Sequence, residues 1–269
     1  MSGGVDSSVA ALLLKSAGNE CIGCTMKLYS NEDAGISKGH TCCSLDDVED
    51  ARSVAYRLGM PYYVFNFSDD FREKVIDRFA AQYCMGMTPN PCIDCNRCMK
   101  FAKLFDRADI LRCSHIATGH YARIERSGEK YLLKKALDPS KDQSYVLYAM
   151  TQAQLARTLF PLGELNKRET RQLAERGGFI NAQKPDSQDI CFAPDGDYAK
   201  IIELHTGKKS ESGDFVDAVQ ARCAGGGVQL DIRRDAGRAG ALPREDTLPP
   251  DGAVGVGHAA RRFRGRDIV

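Results

Sequence analysis

The chain has 269 residues, of which 43% are hydrophobic and 27% charged, as is typical of a soluble globular protein with one large or two ordinary domains. Its net charge of +1 indicates no overall basic excess, so any nucleic-acid surface must be local. Neither a signal-peptide pattern nor an apolar run of about 18 residues occurs, so no membrane association is predicted. Eleven cysteines, an odd number, predict a cytoplasmic protein whose thiols are free, catalytic or metal-bound.

The chain opens with a glycine turn that carries hydroxyl side chains and leads directly into an apolar helix. Gly3 and Gly4 allow backbone N–H groups to approach an anion closely, and Ser2 and Ser7 can donate hydroxyls. The start of the helix adds the positive end of its dipole. We therefore predict that a nucleotide binds here through its phosphates. The GxxxxGK[ST] loop requires a lysine and the GxGxxG turn a third glycine, so neither of these loops fits.

Asp6 lies inside this turn, where a carboxylate beside phosphates would be repelled unless a cation separates them. We predict that Mg²⁺ bridges Asp6 and the phosphates. The alternative is that Asp6 is an acidic residue in the first turn of a helix, where it suits the dipole.

Apolar periodicity alternates between helical and strand patterns along most of the chain. The predicted elements are helix 7–17, strand 20–26, helix 45–58, strand 61–65, helix 71–80, a loop at 88–95, helix 101–105 and strand 116–118. A hairpin centred on Ser127-Gly128 follows, and Asn166 with Glu169 predicts the capped start of a helix that ends at Gly177. This alternation predicts an α/β fold with a Rossmann-like parallel sheet and helices on both of its faces.

The sequence changes character beyond Lys209, after which no lysine occurs. Phe263 is the only aromatic residue past Phe215, and the glycine-rich segments there show neither helical nor strand periodicity. We interpret residues 219–269 as a tail of low order. Such a tail is either a flexible basic segment or the product of an altered reading frame.

Three cysteines recur at a spacing of three residues in a segment rich in proline and asparagine. Cys92, Cys95 and Cys98 could give thiolates to zinc or an iron–sulfur cluster, although a fourth ligand is not evident nearby. Alternatively, one of them is a redox or nucleophilic thiol, activated by a helix that begins near Asn96. Cys191, far along the chain, has polar neighbours that weaken its default interpretation as a buried apolar residue.

Several motifs, taken together and in order, resemble the MnmA family of bacterial tRNA-specific 2-thiouridylases within the PP-loop ATP pyrophosphatases. The motifs are Ser2-Gly3-Gly4-Val5-Asp6-Ser7, Thr25-Met26-Lys27, Asn90-Pro91-Cys92 through Cys95-Asn96, Ala117-Thr118-Gly119-His120-Tyr121, Lys141-Asp142-Gln143-Ser144-Tyr145 and Asp186-Ser187-Gln188-Asp189-Ile190-Cys191-Phe192. The resemblance covers Met1 to about Asp217. It implies a PP-loop ATP-binding catalytic domain at 1–200 and the start of a central domain at 201–218.

The resemblance also implies roles for individual residues. ATP would be bound by Ser2, Gly3, Gly4, Val5, Asp6, Ser7, Met26 and Gly119. The tRNA and its target uridine would be contacted by Asn90, Pro91, Cys92, His120, Lys141, Asp142 and Gln143.

By the same resemblance, the wobble uridine at position 34 would be thiolated in two stages. ATP would adenylate the C2 oxygen, with Mg²⁺ held by Asp6, and a persulfide on Cys191 would attack the activated carbon. Cys95 would then release the sulfur by forming a disulfide with Cys191. A cysteine desulfurase or a sulfur-relay protein would supply the persulfide sulfur.

Departures from the family pattern leave alternatives open. Some relatives have aspartate where Cys92 stands, and a thiol there favours zinc or iron–sulfur binding. The family's first strand would precede Met1, and its C-terminal barrel is not recognisable after Asp217, so this chain could be inactive. The other hypotheses are a PP-loop ligase or amidotransferase that adenylates a small carbonyl compound, and an inactive metal-binding remnant.

Overall fold

The computed structural model describes residues 1–30, 33, 45–186, 190–193, 196–207 and 209, and all of these belong to one compact unit. The α-helices are α1 Val5–Ser16, α2 Leu45–Arg57, α3 Ser68–Phe71, α4 Asp77–Cys84, α5 Pro91–Asp94, α6 Phe101–Ile110, α7 Gln152–Ala156, α8 Lys167–Arg176 and α9 Tyr198–Thr206. In this part of the chain, no helix has the length and apolar character needed to cross a membrane.

The strands confirm the predicted α/β fold with parallel pairing. They are β1 Gly23–Lys27, β2 Tyr62–Asn66, β3 Ile116–Ala117, β4 Ala122–Ser127, β5 Lys130–Lys135 and β6 Thr158–Leu159. Strands β1 and β2 pair in parallel, as do β3 and β6, whereas β4 and β5 form an antiparallel hairpin. The hairpin turns at Gly128, whose φ of +62° glycine adopts without strain.

The parallel strands form two separate pairs among the described residues rather than the one sheet that the sequence predicts. At the edge of β1, the Met1 ammonium donates a hydrogen bond to the Cys24 carbonyl. The Thr25 hydroxyl donates to the Met1 carbonyl at 2.6 Å. Met1 therefore satisfies two polar groups of β1.

Local signals explain where the predicted helices begin and end. The side chain of Asn166 accepts from the Glu169 amide at 3.0 Å, and the Glu169 carboxylate accepts from the Asn166 amide at 2.8 Å. This is the capping box predicted from the sequence, and α8 ends before Gly177 as expected. Helix α1 packs against α8 through a buried cluster that includes Val9 of α1 and Ala174 of α8, which fixes the glycine turn relative to α8.

A second cluster, here called the aromatic cluster, includes Leu28 and Tyr29, which directly follow β1. Its buried members are Leu28, Tyr29, Phe67, Phe71, Val75, Ile76, Phe79, Cys95, Met99, Phe192, Ala193 and Ile201. Phe192 meets the rings of Phe71 and Phe79 edge-on, with centroids 5.9 and 5.3 Å apart. This cluster joins α4, the segment after α5, and α9.

The structure differs from the sequence prediction around the cysteine-rich segment. The loop predicted at 88–95 is helical from Pro91 onward, because Asn90 caps the helix and proline occupies its first position. The helical run continues as a π-helix, Cys95–Lys100, and then as α6. A second π-helix, Arg72–Ile76, joins α3 to α4.

The prediction did not include the short elements α7 and β6 or the helix α9. Helix α9 crosses the predicted domain boundary between residues 200 and 201, and its Ile201 is 2% exposed within the aromatic cluster. The division into domains therefore stays a proposal. The interpretation of 219–269 as a low-order tail lies outside the described residues.

Candidate functional site

The glycine turn presents the N-terminus of α1 as a cradle for an anion. Gly4 caps α1 in an extended conformation without a side-chain hydrogen bond, so the first amide groups of the helix can donate to a ligand. Gly3 has a φ of +72°, and a Cβ there would lie 2.4 Å from the carbonyl oxygen of Asp47. Ser2 and Ser7 face each other with their hydroxyl oxygens 3.3 Å apart. The turn is therefore shaped by close backbone approach and flanked by two hydroxyls, of which that of Ser7 donates to the Gly4 carbonyl at 3.1 Å.

Asp6 lies in the first turn of α1 and is half-buried. Its Oδ1 accepts a hydrogen bond from the Tyr121 hydroxyl at 3.0 Å. The same oxygen forms an ion pair with the Lys167 ammonium at 2.7 Å. Burial, together with the charge of Asp6, raises the pKa of Tyr121, so its hydroxyl keeps its proton and acts as a donor.

Gly119 borders the same turn, whereas Met26 lies on β1. A Cβ on Gly119 would lie 2.8 Å from the Asp6 carbonyl carbon and 2.8 Å from the Ser7 nitrogen, so only glycine fits against α1 without a shift of backbone. Val5 is buried beneath the turn. Met26 is partly buried near the end of β1 and packs against the aromatic cluster. Seven of the eight residues predicted to bind ATP therefore lie in or against the glycine turn, and Met26 lies on β1.

Sequence reasoning missed a buried asparagine that holds the turn. Asn181 is 3% exposed, and its Nδ2 donates to the Gly3 carbonyl at 2.8 Å and to the Ser8 hydroxyl at 3.0 Å. The Gly3 carbonyl can only accept, so the amide nitrogen must face it. Asn181 lies in an ordinary-looking stretch between α8 and the Asp186 motif, and no local signal marks it.

The cysteine-rich segment gives its three thiols different surroundings. Cys92 is exposed in the first turn of α5, where its backbone amide donates to the Asn90 side chain at 3.0 Å. Cys95 is buried in the aromatic cluster, and Cys98 is partly buried. The buried Asn96 donates to the Cys92 carbonyl at 2.8 Å and so ties the turn together.

Zinc or an iron–sulfur cluster does not fit these three thiols. No three His, Cys, Asp or Glu side chains converge in a way that could hold a metal ion anywhere in the described part of the chain. A closed site needs several thiolates directed at one point, and here one thiol faces solvent while another faces the core. The expectation of a metal centre at Cys92, Cys95 and Cys98 is therefore not supported.

Asp6, in contrast to the three thiols, lies in a site that fits the metal ion predicted for it, Mg²⁺. The ion commonly takes one or two carboxylates together with phosphate oxygens and water, so a single carboxylate beside a phosphate cradle fits its requirements. In this structure the Asp6 carboxylate is paired with Lys167, which a metal ion at the same oxygen would have to displace.

Cys95 and Cys191 both lie at the aromatic cluster although 95 residues separate them in sequence. Cys95 is a buried member of the cluster, and Cys191 and Ile190 pack against it while partly buried. Phe192 anchors the segment in the core, and the Tyr29 hydroxyl donates to the Cys191 carbonyl. The predicted pair of thiols is thus brought into one region. Ser187, Gln188 and Asp189 lie outside the described residues.

The residues 141–143, predicted to contact tRNA, make internal contacts in the structure. The Lys141 ammonium pairs with Asp186 at 3.0 Å, and Asp142 accepts from the Ala136 amide at 2.8 Å. The Gln143 side chain accepts from the Tyr121 amide at 3.0 Å. In the structure they contact the residues that flank the hairpin, Tyr121 and Ala136, and Asp186, and the RNA contact stays a prediction.

His120 is also in the interior. Its ring is 7% exposed, lies against Phe101 and Phe160, and has its Nδ1 2.7 Å from the Thr118 hydroxyl. Burial and the charge of Lys100 hold the pKa of His120 well below its usual range, so the ring is neutral. The structure gives this ring almost no surface for RNA. In contrast, Asn90 and Cys92 are both exposed at the start of α5, where a nucleobase could approach.

Comparison with known proteins identifies the family of the chain. A profile described as "tRNA methyl transferase HUP domain" matches residues 1–195. Proteins named tRNA-specific 2-thiouridylase MnmA are 51% identical over 219 residues in Clostridioides difficile, 51% over 221 in Geotalea uraniireducens and 53% over 220 in Caldicellulosiruptor saccharolyticus. Each match covers 81% of this chain, which spans 60%, 59% and 61% of those relatives' lengths. The chain therefore carries the tRNA methyl transferase HUP domain and belongs to the MnmA family.

Proposed function

We propose that this chain provides the catalytic domain, at about residues 1–200, for ATP-dependent 2-thiolation of the wobble uridine of tRNA. The chain spans about three fifths of the length of the relatives it matches. Its activity, substrate and partners are therefore all part of this proposal. The observation that carries it is that Cys95 and Cys191, which are far apart in sequence, both pack at the aromatic cluster.

The glycine turn supports adenylation of the base. Amide groups at the N-terminus of α1 and the hydroxyls of Ser2 and Ser7 can hold phosphates, and Asp6 would hold Mg²⁺, which offsets phosphate charge when bound. The uridine C2 oxygen is a poor leaving group. Its attack on the α-phosphate of ATP releases pyrophosphate and turns that oxygen into part of an AMP leaving group.

The two cysteines support the transfer of sulfur. In the proposed step, the terminal sulfur of a Cys191 persulfide bonds to C2 and AMP departs. The Cys95 thiolate then attacks the Cys191 sulfur, the S–S bond breaks, and its electron pair stays on the sulfur now attached to the base. The products are the 2-thiouridine and a Cys95–Cys191 disulfide, which a dithiol reductant must reduce. A sulfur-donor protein, a cysteine desulfurase or a relay protein, reloads Cys191.

Serine variants of the two cysteines test this function. We expect C95S and C191S each to abolish 2-thiouridine in tRNA from cells that depend on this gene, as measured by mass spectrometry of digested nucleosides. The exposed Cys84 provides the control, because C84S removes a thiol outside the aromatic cluster and should leave thiolation unchanged. Thiolation that persists in C95S and C191S would reject the proposal.

A further inference from the structure

The glycine turn lacks the lysine that other phosphate loops carry, yet a lysine from elsewhere in the chain reaches it. The Lys167 ammonium lies 2.7 Å from Asp6 Oδ1, although 161 positions separate the two residues. Only 14% of the Lys167 side chain is exposed. A cation is thus held, largely buried, beside the helix end at which the phosphates would bind.

Helix stability does not explain a lysine at this position. Lys167 is the first residue of α8, directly after the cap Asn166, where the positive end of the helix dipole disfavours a cation. Burying the ammonium carries a further desolvation cost. A residue that violates a local preference in this way is commonly retained for its function.

The charged groups around Lys167 indicate how it could change partner. Its ammonium also lies 2.6 Å from Asp186 Oδ1, and Asp186 is paired with Lys141 at 3.0 Å and with Arg171 at 3.3 Å. Asp186 is therefore a fixed anchor that keeps Lys167 at the turn. Asp6 also accepts from the Tyr121 hydroxyl, so it keeps a donor when Lys167 turns away.

We propose that Lys167 is the phosphate-binding cation of the glycine turn. On nucleotide binding, its ammonium keeps its contact with Asp186 and exchanges Asp6 for a phosphate oxygen, which leaves the Asp6 carboxylate available to Mg²⁺. An ammonium has three donors, so the exchange needs no loss of the anchor. The inference rests on the proposed function and adds to it a binding residue supplied by α8.

Removal of the charge should affect phosphate binding selectively. We would measure the binding of α,β-methylene-ATP with Mg²⁺, and of adenosine, to the 269-residue chain by titration calorimetry. We expect K167M to weaken the affinity for the triphosphate about tenfold, as loss of a charged hydrogen bond predicts, and to change the affinity for adenosine less than about twofold. K167R should restore part of the triphosphate affinity.

The neighbouring Arg168 gives a matched control, because it is exposed in the same turn of α8. R168M also removes one positive charge and should leave both affinities unchanged. If K167M does not fold, as judged by its melting temperature, K167Q replaces it. Glutamine can donate to both carboxylates but carries no charge, so it should also lose triphosphate affinity selectively.

Two results would overturn the inference. If K167M or K167Q keeps the wild-type ratio of triphosphate to adenosine affinity, or weakens both affinities alike, Lys167 has only a structural role and the proposed function stands. If the unaltered chain binds no α,β-methylene-ATP, the proposed function and the inference fail together.

Discussion

The proposed site has two parts, a nucleotide side around Asp6 and a cysteine side around Cys95 and Cys191. Different forces hold these two parts in place. Around Asp6, directional contacts dominate: an ion pair with Lys167, a hydrogen bond from Tyr121 and close backbone approach at Gly119. Around Cys95 and Cys191, apolar packing in the aromatic cluster dominates. The charged region can exchange partners when an anionic ligand arrives, whereas the packed region keeps two distant thiols together without such exchange.

The largest expected effect on stability comes from removing a buried ring from the aromatic cluster on the cysteine side. Phe192 is 1% exposed between Phe71 and Phe79, so F192A leaves a cavity that the rings cannot fill. We expect the free energy of unfolding to fall by about 3–5 kcal/mol, measured by urea denaturation. The affinity of the folded fraction for α,β-methylene-ATP should not change, because the nucleotide side is held separately.

Tyr56, which is 87% exposed, is the control for this variant. Y56A should alter stability by less than about 0.5 kcal/mol. A comparably small loss in F192A would show that packing does not dominate the cysteine side, and the contrast between the two regions would fail.

A smaller effect is expected from crowding the glycine turn. Gly3 and Gly18 both have positive φ values, +72° and +83°, so alanine is strained at either position. Only at Gly3 would the Cβ collide, at 2.4 Å from the Asp47 carbonyl oxygen, whereas nothing lies within 4 Å at Gly18. We expect G18A to cost about 1 kcal/mol and G3A about 3 kcal/mol of unfolding free energy. Equal losses would show that the backbone at Asp47 yields easily.

The smallest effect concerns the charges that anchor Lys167. Burial alone would raise the pKa of Asp186, but hydrogen bonds and charge from Lys167 and Lys141 outweigh it and lower the pKa below the ordinary 3.8. Asp186 therefore stabilises the fold above pH 3.8, and this contribution is lost as pH falls through the lowered pKa. We expect D186N to cost about 1 kcal/mol at pH 7, since the group is partly exposed.

The pH profile distinguishes this electrostatic loss from a packing loss. The difference in unfolding free energy between the unaltered chain and D186N should shrink as pH falls below 3.8 and vanish below the lowered pKa of Asp186, where both carry a neutral side chain. D69N is the control, because the Asp69 side chain is 97% exposed and should contribute little at any pH. A difference that stays constant with pH would mean that charge is not the cause.

Local sequence signals were sufficient for the elements that surround the site. The glycine turn, the hairpin at Gly128 and the capping box of Asn166 and Glu169 were each predicted from a few neighbouring residues, because turns and caps depend on local backbone conformation. The start of α5 was missed for the opposite reason. Prolines suggested a loop, although proline after an asparagine cap is also a favourable helix start.

Contacts between distant residues could not be predicted in this way. Asn181 reaches Gly3 across 178 positions and Lys167 reaches Asp6 across 161. No periodicity or motif encodes such a pairing, since it follows from how α1 and α8 pack. The common location of Cys95 and Cys191 was expected only through the family resemblance, and the packing of Phe192 accounts for it physically.

Because of the π-helix Cys95–Lys100, the direction of the Cys95 thiol depends on the number of residues in the helical run from Pro91 to Ile110. A π-turn contains one residue more than an α-turn, so deletion of one residue there would let the run from Pro91 to Ile110 close as a continuous α-helix. Residues before the deletion would rotate by about 100° relative to α6. Cys95, now 9% exposed and directed into the core, would face a different side of the molecule. Insertions and deletions in this segment would therefore redirect the sulfur without changing any reacting group.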